Sequence, residues 1–111
     1  MPDTPPLSLA GKTLQWKFTD GPTANTTYEH VFNRDGTVAF RDVKSPPKPN
    51  AKSTTRYASY EVAPGMHFVS YLSESGYTLT VLVDMNGNKV YSIASSAKDW
   101  FPGAGVLVTS A

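Results

Sequence analysis

Along most of the chain, apolar and polar residues alternate one by one. Leu14, Trp16 and Phe18 fall on one side of the first such segment, with Gln15, Lys17 and Thr19 on the other. A period of two sends successive side chains to opposite faces of an extended backbone, so it predicts a strand with one buried face. The rhythm returns over 26–32, where Tyr28, His30 and Phe32 share a face, and over 37–43, where Val38 and Phe40 continue it. Between these runs stands "NRDG", a hairpin loop with Gly36 where a positive φ is wanted. Further runs at 55–62, 66–72, 77–85, 89–95 and 105–110 bring the predicted strands to eight.

Most connections between these strands are tight turns such as "APG" and "NGN". The proline-rich "KSPPKPNAKST", residues 44–54, reads as an exposed loop, and 96–105 as a loop or a single helical turn. Eight short strands in a meander expose two unpaired edges unless the sheet closes on itself. An all-β, antiparallel up-and-down barrel over 11–111 is therefore expected, after a flexible N-terminal tail over 1–10. A two-sheet sandwich is the alternative; it needs longer crossovers, and only the 44–54 segment could supply one. A barrel of eight strands is just wide enough to fill with side chains or to hold one small ligand.

Composition narrows the function classes. With 111 residues, a net charge of +1 and scattered basic groups, the chain has no electrostatic footprint for nucleic acid or anionic lipid. The group Lys44, Lys48, Lys52 and Arg56 reads as a solvated loop. The absence of cysteine excludes disulfides, thiolate nucleophiles and Cys-type zinc sites. No His/Asp/Glu spacing suggests a metal, and no GxSxG, P-loop, GxGxxG or HExxH pattern is present, so no cofactor is expected. The first residues carry no secretory signal and no apolar run is long enough to span a bilayer, so a cytoplasmic location without membrane contact is the default expectation.

The candidate chemistry lies on the predicted inner faces. His30, between Tyr28 and Phe32, is either a hydrogen-bonded core histidine or a ligand contact and general base. His67 shares a face with Val69 and Tyr71. On the fourth strand Arg56, Ala58, Tyr60 and Val62 oppose Tyr57, Ser59 and Glu61, so one charged residue must face inward or sit at a rim. Ala58 and Val62 favour the Arg56 face as the inner one, where the guanidinium would hold a ligand carboxylate. An inward Glu61 would instead transfer protons. Trp16, Phe18, Tyr28, Tyr60, Tyr71 and Trp100 are the aromatic candidates for a ligand wall, with Trp100 or Phe101 as a lid or as a plug.

"GKTLQWKFTDG" (11–21), "MHFVSYLSESGYTLTVLVDMNGNKVYSIAS" (66–95) and "DWFPG" (99–103) resemble the MoaF-like family, molybdenum cofactor biosynthesis protein F-like chains with lipocalin-like (calycin) barrels. The resemblance spans roughly 9–108 and implies a small-ligand barrel. More distantly the chain is similar to phenolic acid decarboxylases, which would imply cofactor-free removal of carbon dioxide by two first-strand tyrosines, an arginine and a glutamate. Here the first-strand positions are Trp16 and Phe18, which have no hydroxyl, while Arg56 and Glu74 (or Ser73) stand near the other two. Two functions are thus expected in competition. One is a barrel binding an apolar or aromatic ligand through Trp16, Phe18, Tyr28, Arg56, Tyr60, Tyr71 and Trp100. The other is a cofactor-independent lyase or isomerase for a small aromatic or unsaturated acid, using His30 and Glu61, with Arg56 holding the carboxylate. A strand edge beside the proline-rich loop would offer a homodimer contact.

Overall fold

The computed structural model describes residues 6–21, 24–44, 54–73 and 76–110. Residues 1–5, most of the proline-rich loop (45–53) with Lys48 and Lys52, and Glu74 lie outside the described residues. Eight strands follow one another: β1 (Thr13–Phe18), β2 (Thr27–Phe32), β3 (Thr37–Asp42), β4 (Thr54–Ala63), β5 (Met66–Leu72), β6 (Thr78–Asp84), β7 (Lys89–Ser95) and β8 (Trp100–Ser110). Each pairs antiparallel with its neighbour in sequence, and β8 returns to β1, so the sheet is a closed barrel in simple up-and-down order. The predicted strands match these elements within one or two residues except at β8, which begins at Trp100 and not at 105.

Local chemistry sets the corners. In the β2–β3 turn Gly36 takes a φ of 90°, and the Asp35 carboxylate accepts hydrogen bonds from the backbone N–H and the hydroxyl of Thr37. After β6, Asp84 does the same for the N–H groups of Asn86 and Gly87. These local bonds satisfy the donors that a tight reversal takes out of the ladder. The β3–β4 seam is the shortest ladder among the described residues, joining Thr37, Val38 and Ala39 to Arg56, Thr55 and Thr54.

The interior divides into two halves. One is solid: Leu14, Phe32, Val38, Val69, Val83 and Val90 are each essentially buried. This half is closed from below by the N-terminal segment expected to be a loose tail. Ser59 donates its backbone N–H to Pro6, and the N–H groups of Ser8 and Leu9 return to the Ser59 carbonyl and hydroxyl, while the Gly11 N–H reaches Phe32 O at 2.7 Å. Leu9 is fully buried among the core side chains. Residues 6–10 are therefore part of the barrel, because Leu9 has an apolar site to fill and Ser59 gives the incoming backbone hydrogen-bond partners. Leu9→Ala is expected to cost about 2–3 kcal/mol. A urea midpoint shift at unchanged m value would measure it, and a loss below about 0.5 kcal/mol would show that the plug does not close the barrel in solution.

Beside this plug lies a polar cluster. The Ser8 hydroxyl sits 2.8 Å from His67 Nδ1 and donates to Ser59 Oγ at 3.2 Å. Glu61 Oε2 stands 3.9 Å from His67 Nε2 and accepts from the Gly65 N–H. Burial holds His67 below its ordinary pKa, the nearby Glu61 carboxylate working the other way. None of Ser8, His67 and Glu61 lines the cavity in the other half of the barrel.

Candidate functional site

The other half of the barrel is hollow. A cavity of about 390 Å³ opens between the upper parts of β1, β2, β3, β5, β6, β7 and β8. Its wall on one side is aromatic, formed by Trp16, Phe18, Tyr28, His30, Phe40 and Tyr71. Opposite stand Leu79, Val81, Ser92, Ala94 and Gly103, with Tyr77, Phe101, Pro102 and Ser73 also lining it. The space follows from side-chain size. The inner positions of β7 and β8 carry Ser92, Ala94 and Gly103, too small to meet the rings projecting from β1 and β2. In the solid half the same rows carry Val90 and Leu107, and the barrel fills.

His30 is the centre of the aromatic wall. Its ring stacks on Trp16 with centroids 4.0 Å apart and planes 18° from parallel, and lies 5.8 Å from Phe40 and 5.9 Å from Phe32. The register explains the cluster. Leu14 and Trp16 oppose His30 and Tyr28 on β2, and His30 opposes Phe40 on β3. His30 Nε2 shares a 2.5 Å hydrogen bond with the Tyr71 hydroxyl. His30 Nδ1 and Trp16 Nε1 are buried without a hydrogen-bond partner among the described residues.

Burial governs the electrostatics. Desolvation pulls the His30 imidazole from 6.5 down to about 3, so it is neutral at pH 7. It pushes the Tyr71 phenol upward, with Tyr28 adding to the shift, and raises Tyr28 as well, aided by Asp42. No Asp, Glu, Lys or Arg is among the described residues that line the cavity. The site is thus an uncharged, aromatic chamber whose polar groups are phenols, hydroxyls, an indole and a neutral imidazole. A histidine held this far below neutrality is a poor general base, since taking a proton would create a buried charge with no carboxylate to balance it.

The candidate residues separate cleanly. Trp16, Phe18, Tyr28, His30 and Tyr71 meet at the cavity. Arg56, Tyr60, Glu61 and Trp100 do not. The inner face of β4 is the one carrying Tyr57 and Ser59, both buried, and Arg56 points to solvent. The reason is satisfiability. The Tyr57 ring packs edge-on against Phe32 and its hydroxyl donates to Asn33 O, whereas an inward guanidinium would be desolvated beside aromatic rings. Tyr60 lies 58% exposed on the outer face, opposite Phe68. Glu61 shares the Tyr57–Ser59 alternation but reaches the rim at the plugged half, away from His30. Trp100 is 67% exposed and is neither lid nor plug, while its neighbour Phe101 lines the cavity near Tyr77, with ring centroids 5.9 Å apart. The small residues Ser92, Ala94 and Gly103 are not among the candidates, and alternation could not find them: β7 carries apolar residues on both faces, and only the exposure of Tyr91 and Ile93 in the structure shows that Ser92 and Ala94 face inward.

Among the described residues no group of three His, Asp or Glu is placed to hold a metal ion. No curated protein matches the chain. Among solved structures, one from Burkholderia vietnamiensis, described as a "putative beta-lactamase", superposes with a TM-score of 0.64 at 19% identity, covering 94% of this chain and 97% of that one. At that identity the likeness shows the barrel fold alone. The family model described as the MoaF N-terminal domain matches residues 3–99. This barrel, with its plugged and its hollow half, belongs to the MoaF N-terminal domain family.

Proposed function

We propose that the barrel binds one flat, uncharged, largely apolar small molecule in its hollow half. The observation that carries this reading is the combination of about 390 Å³ of space with an aromatic wall and no charged residue among the described lining. Pockets that bury small ligands have volumes of this order and are lined in this way. A carboxylate or phosphate entering such a chamber would lose its hydration without gaining a cation, at a cost of several kcal/mol. The competing reading, a small unsaturated acid held by Arg56 and worked on by His30 and Glu61, has its three residues in three separate places, two of them exposed.

The test uses two probes with one skeleton. N-phenyl-1-naphthylamine is uncharged, and 8-anilinonaphthalene-1-sulfonate adds an anionic group to nearly the same rings. The uncharged probe is expected to bind at least about tenfold more tightly, since even about 1.4 kcal/mol of uncompensated desolvation gives that ratio. Fluorescence titration measures both. Ala94→Phe, which fills the chamber, is expected to abolish binding while leaving the β-sheet circular dichroism intact. Equal affinity for the two probes, or binding that survives Ala94→Phe, would refute the proposal.

A further inference from the structure

We propose that the buried His30–Tyr71 pair is polarised in one direction, with His30 Nε2–H donating to the Tyr71 oxygen. The phenolic hydrogen is then left to bind a ligand acceptor, and the chamber selects molecules bearing a carbonyl or similar neutral acceptor. The inference rests on the binding role proposed above.

The direction follows from counting donors. A neutral imidazole carries one N–H, and the 2.5 Å bond between His30 Nε2 and Tyr71 Oη allows two arrangements. If the tyrosine donates, the imidazole hydrogen must sit on Nδ1, which is buried and has no partner. Trp16 cannot accept it. The two rings are stacked 18° from parallel, an N–H bond lies in the plane of its own ring, and the indole nitrogen is itself a donor. That arrangement would leave two unpartnered donors, Nδ1–H and the Trp16 indole N–H, in one aromatic stack. Native interiors almost never strand a buried donor and tolerate an idle acceptor lone pair more readily. With the hydrogen on Nε2, the idle group at Nδ1 is a lone pair and the spare donor is the Tyr71 O–H, which borders the chamber where a ligand or water can accept it; the Trp16 N–H is unpartnered in both arrangements.

Tyr71 is then an acceptor toward His30, and its own hydrogen needs another destination. No second partner for the hydroxyl occurs among the described residues, and Tyr71 lines the chamber. Tyr28, the neighbour whose charge would oppose Tyr71 ionisation, lines it too. A hydroxyl that receives one hydrogen bond also donates a stronger one, because chained bonds polarise each other. The pair therefore presents a fixed donor in a chamber otherwise walled by rings and small side chains. His30 is a positioning residue here, and Tyr71 is the specificity-determining contact.

Two measurements test this. Long-range ¹H–¹⁵N correlation spectra of the whole protein at pH 7 report the His30 tautomer; protonated-type nitrogen at Nε2 and pyridine-type nitrogen at Nδ1 are expected. A proton on Nδ1 overturns the inference whatever the binding data show. Naphthalene and 1-acetonaphthone, alike but for one carbonyl group, then probe the donor. The ketone is expected to bind about fivefold more tightly, the worth of one net hydrogen bond, and Tyr71→Phe is expected to erase that preference while leaving naphthalene binding in place. An unchanged preference in Tyr71→Phe, or none in the native protein, overturns the donor role. If neither probe binds, the chamber reading fails, and the tautomer still decides the direction of the pair independently.

Discussion

Between pH 7 and pH 3.5 the barrel is expected to lose about 4 kcal/mol of stability, and His30→Gln to remove most of that loss. In the native state His30 is buried, and desolvation places its pKa at about 3 against an ordinary 6.5. As pH falls below 6.5 the unfolded chain takes up a proton at this position and the folded chain does not. Stability is thus fully present above about 6.5, declines through the interval, and levels off below about 3. His67, also held below its ordinary value by burial, acts in the same direction. A loss of this size consumes much of the 5–15 kcal/mol typical of small domains, so acid unfolding near pH 4 is expected for the native chain. Glutamine is close to histidine in volume and keeps a donor for Tyr71, but it does not titrate. Urea unfolding of both proteins at pH 7 and pH 4 gives the comparison. Parallel loss in the two would show that carboxylates, and not His30, set the acid limit.

Gly105→Ala is expected to cost about 3 kcal/mol or more, beyond most surface or strand glycine substitutions. Gly105 sits on β8 opposite Phe18, where the barrel closes. A Cβ at this position would stand 2.3 Å from the Lys17 carbonyl oxygen and 3.0 Å from the Lys17 carbonyl carbon and Phe18 Cα. These are backbone atoms, so no side chain can swing aside; β1 itself must shift. The close approach sits near the register shift opposite Gln15 and Trp16, where β8 carries an extra residue, Val108. Gly103 is a useful contrast on the same strand. A Cβ there would meet the Ser92 hydroxyl at 3.3 Å and the Phe18 ring at 3.7 Å, groups with room to adjust. Gly103→Ala is therefore expected to cost under about 1 kcal/mol. Thermal unfolding of the two variants side by side tests whether closure depends on Gly105; equal small losses would show that it does not.

The first-strand alternation of Leu14, Trp16 and Phe18 and the β2 set Tyr28, His30 and Phe32 were readable one by one, since each strand has only one plausible apolar face. The start of β8 was not. Pro102 and Gly103 are turn-forming residues by type, yet Pro102 pairs with Ile93 on β7 and lies past Gly105, where the ladder to β1 ends. A proline is tolerated there because the strand has a partner on one side only, as at a sheet edge. Nor did the tail declare itself. Leu7 and Leu9 stand among prolines and serines, and their value as a plug exists only once the floor of the barrel is there to receive them.

By itself, then, the sequence determined eight strands and their buried faces where apolar residues lay on one side only, and it favoured closure of the meander into a barrel over a sandwich. These are properties of period and turn chemistry, carried by neighbours along the chain. The tertiary structure alone decided that β4 turns Tyr57 and Ser59 inward and Arg56 out, since both of its faces are mixed and the choice depends on partners from Phe32, Asn33 and Leu9. It alone placed the chamber, because empty volume is the difference between rings on β1 and β2 and small residues on β7 and β8, strands far apart in sequence. It also joined His30 to Tyr71, 41 positions away, and so gave the histidine a hydrogen-bonding role that alternation cannot express.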